Sequence, residues 1–572
     1  MSNTTRGRCV ALLLGFAACG DSGATPTGGG GSGAGGSGAA AGGAGSGGVS
    51  GDGGTAQGGG GVADPGTYWH IESPADSERT WLVSPEGKRV FVLGVNTVMR
   101  DKSCDGITEY VRRSTPSETA HVEWARLTDG ESGGYTVPKP FCFNSVGAFS
   151  ETNDFDDSGG DSYMIRPIDQ GGAAAPYSVV LNVGPGGTDR ALKGENGAVL
   201  ESGVAGVSIG DPFNPAFVAD LESRAAEDVA PRRHDPLLFM WFAGNEIGLF
   251  DRAGKGEGVR DLRRWIWSDC PAGSSPAAPA CAPHALAAFL EARYGSLTAL
   301  NTAWESSYAG ADFGVISDVR PRPVPYVHDC NQTCREDLQA FVHDELLTAW
   351  VDTVTAAIRA ADPNHLVSSP RLALGDAAAF RFFQPASKPG ADVWFDDETV
   401  ELPTTTADTD YDPLDLLSGF DVVSINVYSG SDEFDKPWFT DGIHKLQDES
   451  GKPVYVSEFG IRARIEGWTN KGGAGSFVPS DDGVDDQVQR GARYRSQLEQ
   501  FVSFRGIVGA SWHAWSDRYV SADPDHQINM GLIQCDDPSR GFVAGDRWSD
   551  ATERVAEANC SIEETIVATT GL

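Results

Sequence analysis

The sequence has 572 residues and a formal net charge of -36 at pH 7. This length allows one large domain with insertions or several average domains, while the charge argues against nucleic acid or anionic membrane surfaces as partners, because both bind basic patches. A neutral, polar ligand fits better, and fourteen tryptophans could supply stacking surfaces for sugars.

The N-terminus has the pattern of an export signal. Arg6 and Arg8 precede an apolar segment, Val10–Ala18, that is too short to span a bilayer and typical of a signal peptide. The letters FAAC resemble a bacterial lipobox, so residues 1–19 are predicted to be a lipoprotein signal with Cys19 as the lipidated residue. The box begins with phenylalanine instead of the usual leucine, so plain secretion is the alternative. We expect an outer-membrane or cell-surface lipoprotein, or otherwise an extracellular protein.

A glycine-rich segment follows the signal. From Gly20 to Gly61, 22 of 42 residues are glycine and most of the others are small or polar. Such a composition cannot bury a core, so residues 20–62 are predicted to be a disordered tether. A coil of this length reaches roughly 35 to 40 Å. The folded domain is therefore predicted at residues 63–572.

Cysteine usage agrees with export. Beyond Cys9 and Cys19 the chain has an even set of eight cysteines, which in an exported protein predicts disulfides. They are Cys104, Cys142, Cys270, Cys281, Cys330, Cys334, Cys535 and Cys560. The sequence leaves their pairing open, and we predict the short-range pairs Cys270 with Cys281 and Cys535 with Cys560. Zinc at Cys330 and Cys334 is the less favoured alternative because no companion pair lies at zinc spacing.

Apolar runs bounded by turn residues predict a short hairpin around Trp69 and Trp81, with a turn at residues 85–87, followed by eight further strands. Runs buried on both faces are typical of parallel sheets covered by helices. In chain order the eight strands are 90–98, 143–149, 177–183, 237–243, 365–373, 421–428, 453–460 and 507–515.

Helical patterns alternate with these strands. Asn214 is predicted to cap a helix beginning at Pro215, and further helices are predicted before the fifth and eighth strands. Eight alternating units predict a (β/α)8 TIM barrel with an N-terminal β-hairpin. A doubly wound open sheet is the alternative, but no glycine-rich phosphate turn follows the first strand. The long interval after the fourth strand predicts a disulfide-bearing insertion at about residues 250–335, with two short helices in 289–304.

Two glutamates lie at the carboxyl ends of predicted strands. Glu246 follows the apolar run 237–243, and Glu458 lies at the end of the seventh strand. Catalytic groups project from the carboxyl ends of barrel strands, and glycoside hydrolysis uses two carboxyl groups that flank the scissile bond. For Glu246 alone, a polar residue that merely opens a loop is an equally good interpretation.

The letters GNE on the fourth strand and SEFG on the seventh resemble the clan A retaining glycoside hydrolases. Four accessory stretches, TWLVSPEGKRVFVLGVN, FNSVGAFS, YGSLTALNTAW and GASWHAWSDRY, are more narrowly similar to the beta-agarase relatives in that clan. The resemblance covers most of residues 68–548. It implies that Glu246 is the acid/base, that Glu458 is the nucleophile and that Asn245 holds the sugar hydroxyl beside the reacting carbon.

Other strand-end residues are candidates for substrate binding. The resemblance implies that Tyr428 hydrogen-bonds the nucleophile and that Trp512 is an aromatic platform beneath the sugar, although both could be core aromatics. Arg371 could orient a carboxylate, bind a hydroxyl or form a structural ion pair. Asn96 could contact substrate or be a turn residue. His513 could line the cleft or belong to a solvated loop.

The sequence thus predicts a retaining glycoside hydrolase that cleaves a beta-linked galactan such as agarose. The alternatives are a beta-galactosidase or mannanase-like hydrolase on the same barrel, or a tethered carbohydrate-binding protein without activity. We expect a poly- or oligosaccharide substrate, no cofactor, no metal in the site, no nucleic-acid partner, a monomer, and membrane contact only through the N-terminal lipid.

Overall fold

The fold is described from a computed structural model, in which the N-terminal signal and tether lie outside the described residues. The described residues are 67–74, 79–98, 131–132, 135–136, 140–150, 176–193, 199, 201–202, 207–247, 267–318, 331–373, 413–428, 437–466, 468, 484–520, 523–543 and 546–570. Among the helices in these ranges, none is both long and apolar enough to cross a membrane.

The described chain begins with a small antiparallel sheet of three strands, β1 (His70–Glu72), β2 (Trp81–Val83) and β3 (Arg89–Val90). Gly87, at the turn between β2 and β3, has a φ of 77°, a conformation that favours glycine. Trp69 donates its indole N–H to the Pro236 carbonyl, just before the fourth barrel strand. The predicted hairpin is confirmed, and it covers the N-terminal end of the barrel.

Nine parallel strands form the main sheet. They are β4 (Val92–Val95), β7 (Ser145–Val146), β8 (Tyr177–Val180), β11 (Leu238–Phe242), β12 (Leu366–Ser368), β13 (Leu372–Ala373), β14 (Val423–Val427), β15 (Val454–Phe459) and β16 (Ile507–Trp512).

The sheet closes through the predicted fifth strand, which is divided into β12 and β13. β12 pairs with β11, β13 pairs with β14, and a parallel bridge joins Ser368 to Val422. The other barrel positions are filled in chain order, with β16 beside β4. The prediction of an eight-stranded (β/α)8 barrel is therefore confirmed.

Four short strands outside the barrel form two hairpins, and two more pair near the C-terminus. They are β5 (Glu131–Ser132) with β6 (Tyr135–Thr136), β9 (Glu201–Ser202) with β10 (Val207–Ser208), and β17 (Arg518–Val520) with β18 (Asp523–Ile528).

The helices surround the barrel. They are α1 (Pro215–Arg224), α2 (Ala282–Tyr294), α3 (Leu297–Trp304), α4 (Gly314–Asp318), α5 (Gln332–Ala340), α6 (Thr348–Ala361), α7 (Pro437–Ser450), α8 (Gln487–Ser503), α9 (Ser549–Cys560) and α10 (Ile562–Thr570), with π-helical turns at Ala225–Val229 and Phe341–Leu347 and 3-10 turns at Ala230–Arg232 and Pro413–Gly419.

The predicted start of α1 is confirmed, because the Asn214 side chain accepts the backbone N–H of Ala216 and Pro215 occupies the first turn. Helices also precede the fifth and eighth strands, as predicted. The insertion after the fourth strand contains α2 and α3, the two predicted short helices. Asp337 of α5 joins them, since its carboxylate accepts from Tyr294 and Trp304.

Aromatic rings connect the two ends of the barrel interior. Trp69 of the N-terminal sheet contacts Phe239, and both Phe239 and Phe242 contact Tyr455, with ring centroids 5.8 to 6.1 Å apart. The guanidinium of Arg371 lies 5.2 Å from the Phe242 ring. This packed column supports a buried cation from below, at the carboxyl ends of the strands.

The disulfides confirm one predicted pair and correct the other. Cys270 is bonded to Cys281 within the insertion. Cys560 is bonded to Cys142, 418 residues away, and not to Cys535. Barrel closure places the end of α9 beside the start of the second strand, where Asn559 also donates to the Phe141 carbonyl. Proximity along the chain was therefore the wrong guide for this cysteine.

Two further cysteines bear on the sequence predictions. Cys334 and Cys535 are also disulfide-bonded, which argues against zinc at Cys334 because a disulfide sulfur is not a thiolate ligand.

Candidate active site

Several polar side chains meet at the carboxyl ends of the barrel strands. Glu246 follows β11, Glu458 lies on β15, and Tyr428 follows β14. Arg371 stands between the two halves of the divided fifth strand, and His513 follows β16. The register aligns Asn426 of β14 with Glu458, so neighbouring strands bring these groups to one level.

The Glu458 carboxylate receives hydrogen bonds on both oxygens. Arg371 Nη2 donates to Oε1 over 2.7 Å, and the Tyr428 hydroxyl donates to Oε2 over 2.6 Å. His513 Nδ1 lies 3.7 Å from Oε1. Burial raises the pKa of Glu458, but Arg371, His513 and the Tyr428 hydrogen bond together bring that pKa below its ordinary value. Glu458 is therefore held as a carboxylate, the form that can act as a nucleophile.

Arg371 connects the two sequence motifs. Its Nη1 donates to Asn245 Oδ1 over 2.8 Å, while its Nη2 also donates to the Ser457 carbonyl. The side chain is fully buried, with the guanidinium between the rings of Phe242 and Phe149 at 5.2 and 5.0 Å. Arg371 thus forms an ion pair with the Glu458 carboxylate and orients it, two of the interpretations left open by the sequence, and it also orients the Asn245 amide.

Glu246 has a different environment. It is buried, with 6% of its surface exposed, and its Oε1 accepts a hydrogen bond from Asn426 Nδ2 over 3.0 Å. Burial and then the negative charge of Glu458 raise the pKa of Glu246 to about 7, against smaller opposing effects of Asn426 and Arg371. At mildly acidic pH Glu246 is protonated while Glu458 is ionised.

Asn245 is oriented by the same arginine. Because its Oδ1 accepts from Arg371, its Nδ2 faces away from the guanidinium. This nitrogen has no acceptor among the described residues, and the side chain is half-buried. It can therefore donate a hydrogen bond to a hydroxyl that enters beside Glu246.

Backbone strain is concentrated around these groups. Four residues that are not glycine have φ between 51° and 59° at the carboxyl ends of barrel strands: Thr97, Phe149, Glu246 and Arg371. Each left-handed conformation costs on the order of 1–3 kcal/mol and persists only where the surrounding packing enforces it, often at functional sites. At Phe149 this conformation accompanies the contact of its half-buried ring with Arg371.

Two residues that were predicted as candidates for substrate contact, Trp512 and Asn96, are buried in the structure. Trp512 has 1% of its surface exposed; its ring contacts Phe459 and Tyr494 of α8, and its indole N–H donates to the Met530 carbonyl. It is a core aromatic without a face open to a sugar. Asn96 is fully buried and donates to the Ser457 carbonyl. This hydrogen bond joins the end of the first barrel strand to the seventh strand.

His513, the next residue after Trp512, faces the site instead. Its ring packs edge-on against Tyr428 and lies beside Glu458. The platform predicted at Trp512 is therefore absent at that position, whereas the neighbouring histidine reaches the nucleophile candidate.

The structure adds residues that the sequence interpretation missed. Asn426 contacts Glu246, and Ser457 contacts Asn426. Side chains alternate along a strand, so the position two residues before Tyr428 shares its face. That spacing could have identified Asn426. Nothing comparable pointed to Phe149.

Comparisons with known proteins agree with this fold. No family model matches the chain. An exo-beta-agarase structure superposes with a TM-score of 0.55 and 15% sequence identity, covering 88% of this chain and 66% of that chain. A further agarase has a TM-score of 0.54 and 16% identity, over 87% and 65% of the two chains.

Among curated proteins, the chain is 24% identical over 196 residues to "Putative mannan endo-1,4-beta-mannosidase 9" of Oryza sativa subsp. japonica, which is 32% of this chain and 42% of the rice protein. The chain spans less than half of this relative and about two thirds of the two agarase structures. It shares the (β/α)8 fold of those agarase structures.

Proposed function

We propose that the protein is a retaining glycoside hydrolase that cleaves a beta-linked galactan such as agarose. The observation that carries this proposal is the pair Glu246 and Glu458, which lie at the carboxyl ends of the fourth and seventh barrel strands and have pKa values moved in opposite directions. One protonated and one ionised carboxyl group is the requirement for double displacement at a sugar.

The reaction has two steps. In the first, Glu458 forms a bond to the anomeric carbon while the glycosidic bond breaks, and Glu246 gives its proton to the departing oxygen. In the second, Glu246 takes a proton from water, the water oxygen bonds to the anomeric carbon, and the Glu458 carboxylate is released. Arg371 and Tyr428 stabilise this carboxylate before and after each turnover.

Asn245 supports the transition state. Its Nδ2 donates to the sugar hydroxyl next to the reacting carbon, while Arg371 fixes the amide orientation. Hydrogen bonds to this hydroxyl strengthen in the transition state and lower its free energy by on the order of several kcal/mol. The amide therefore favours sugars that carry a hydroxyl at this position.

The substrate class rests on two features. A chain with a net charge of -36 repels acidic polymers, which favours a neutral polysaccharide, and two solved structures with this fold are agarases. Mannan is a second candidate because of the similarity to the rice protein named for mannan hydrolysis.

The direct test is product analysis with the full chain on agarose, porphyran, galactan, mannan and cellulose, beside the Glu458→Ala variant. Cleavage of agarose or galactan by the parent alone supports the proposal, and cleavage of mannan alone supports the second candidate. Binding without cleavage anywhere in the panel would replace both with a tethered sugar-binding protein.

The pH dependence of kcat/KM is expected to be bell-shaped. Activity should fall above pH 7, because the acid Glu246, with its pKa raised to about 7, must be protonated in the first step. The acidic limb should lie below the ordinary pKa of a glutamate, because the lowered pKa of Glu458 keeps this carboxylate ionised. A polysaccharide assay from pH 3 to 10 checks both limbs; undiminished activity at pH 9 would contradict the acid role.

We also propose export and anchoring through Cys19. The basic and apolar segments before Cys19 support a signal, and the bonds Cys142–Cys560 and Cys270–Cys281 support an oxidising compartment. In a bacterial host fed labelled palmitate, the parent is expected to carry label in the membrane fraction, and Cys19→Ser to lose it. Equal labelling of both proteins would refute the anchor.

A further inference from the structure

The acid/base candidate is held by a residue from another strand. Asn426 of β14 donates from Nδ2 to Glu246 Oε1 over 3.0 Å, and only 1% of Asn426 is exposed. Oε2 of Glu246 has no hydrogen-bond partner among the described residues. The two oxygens of this carboxyl group therefore differ within the described part of the chain, because one accepts a buried hydrogen bond from Asn426 and the other does not.

The orientation of the Asn426 amide follows from its second contact. Ser457 Oγ lies 2.7 Å from Asn426 Oδ1 and donates to it, with the Ile425 carbonyl as an alternative acceptor at 3.1 Å. A reversed amide would turn its oxygen toward Glu246 Oε1, placing two acceptors together whenever Glu246 is ionised. Ser457, directly before the nucleophile candidate, thus helps to set the amide that faces the acid.

We propose that Asn426 is a positioning residue that reserves Oε1 of Glu246 as an acceptor and so directs the exchangeable proton to Oε2. This inference rests on the proposed function and deepens it. In the first step the proton leaves Oε2 for the glycosidic oxygen as the glycosidic bond breaks. In the second step a proton of the attacking water returns to Oε2. One oxygen serves both half-reactions, and the carboxyl group keeps a single rotamer.

The charges around Glu246 show why a neutral donor suits this position. Glu458 on the seventh strand raises the pKa of Glu246, whereas Arg371 on the fifth strand and the Asn426 hydrogen bond lower it. Tyr428 and His513 face Glu458. An amide moderates the effect of burial without adding a charge that would hold Glu246 permanently ionised.

Asn426→Leu removes the donor at nearly constant volume. The alkaline limb of kcat/KM is expected to rise by about half to one pH unit, because the ionised form loses a hydrogen bond. Substrates with poor leaving groups should lose about 10- to 100-fold in kcat/KM, and activated aryl glycosides much less, because only the former need the directed proton. Ser457→Ala, which keeps the amide but frees its orientation, should shift the limb in the same direction by less.

The matched control is Asn364→Leu. Asn364 precedes the fifth strand at the opposite end of the barrel, where it donates to the Arg233 carbonyl, and this variant should leave the pH limb unchanged. If Asn426→Leu does not fold, Ser457→Ala carries the test. A folded variant with an unchanged limb and equal losses on both substrate types would reduce Asn426 to a structural role and overturn the proposal.

A readout that does not need turnover separates this inference from the proposed function. In protein labelled with 13C at glutamate carboxyl groups, the Glu246 resonance is the one absent from Glu246→Gln. Its titration midpoint should move upward in Asn426→Leu. If the parent cleaves no polysaccharide while this midpoint moves, the proposed function fails and the Asn426 contact stands; an unmoved midpoint overturns the Asn426 inference even in an active enzyme.

Discussion

Glu458→Ala is expected to lower kcat by about four to six orders of magnitude, because loss of a nucleophile removes the covalent route and leaves only the binding and electrostatic contributions of the site. Arg371 and Tyr428 would then face a cavity without their acceptor. Steady-state rates on the cleaved polysaccharide, with circular dichroism to verify folding, measure the effect.

Glu466→Ala is the matched control. Glu466 lies on an exposed turn eight residues after Glu458, and its backbone carbonyl accepts a hydrogen bond from Arg540. This variant should retain parental rates. If Glu458→Ala also turned over like the parent, the nucleophile assignment would be wrong.

Glu246→Gln should show a smaller loss that depends on the leaving group. Glutamine keeps the volume and can still contact Asn426, but it has no proton to give to the departing oxygen. We expect kcat/KM to fall by about 10²- to 10⁴-fold for polysaccharides and much less for activated aryl glycosides, whose leaving groups depart without protonation. The alkaline limb of the pH profile should also disappear for the aryl substrates.

The exposed residue Glu222 on α1 supplies the control, Glu222→Gln, which should match the parent on both substrate types. Equal losses of Glu246→Gln on polysaccharide and aryl glycoside would contradict its role as the acid. Added azide gives an independent check in Glu246→Ala, where it should replace water in the second step and yield a glycosyl azide.

The barrel could be predicted because its strands leave a clear compositional signal. A strand such as β11 is buried along its whole length, so it is an uninterrupted apolar run bounded by proline and glycine. The catalytic pair followed from the same signal, since Glu246 and Glu458 interrupt or follow such runs. Strand position alone was enough to bring the two carboxyl groups to one end of the barrel.

The same burial explains what the sequence left undetermined. When both faces of a strand are buried, no alternation of polar and apolar residues shows which side faces the interior. Trp512 and His513 are adjacent, and the side that each faces is fixed by tertiary packing and by shifts in strand register. The structure places the tryptophan in the core and the histidine beside Glu458, in each case one of the two interpretations that the sequence left open.

Contacts between residues far apart in the chain could not be predicted from the sequence either. The divided fifth strand places Arg371 between Glu458, Asn245 and Phe149, contacts that join four different segments of the chain. The Cys142–Cys560 bond likewise depends on closure of the whole barrel. Local sequence patterns do not indicate such pairings, because the register of neighbouring strands determines them.

The stereochemistry of hydrolysis tests the central claim most directly. Proton NMR during the first turnovers on the cleaved polysaccharide resolves the anomers of the new reducing end before they equilibrate. A double displacement through Glu458 predicts that the beta anomer forms first. Initial formation of the alpha anomer would show a single displacement by water and contradict the assignment of Glu458 as the nucleophile.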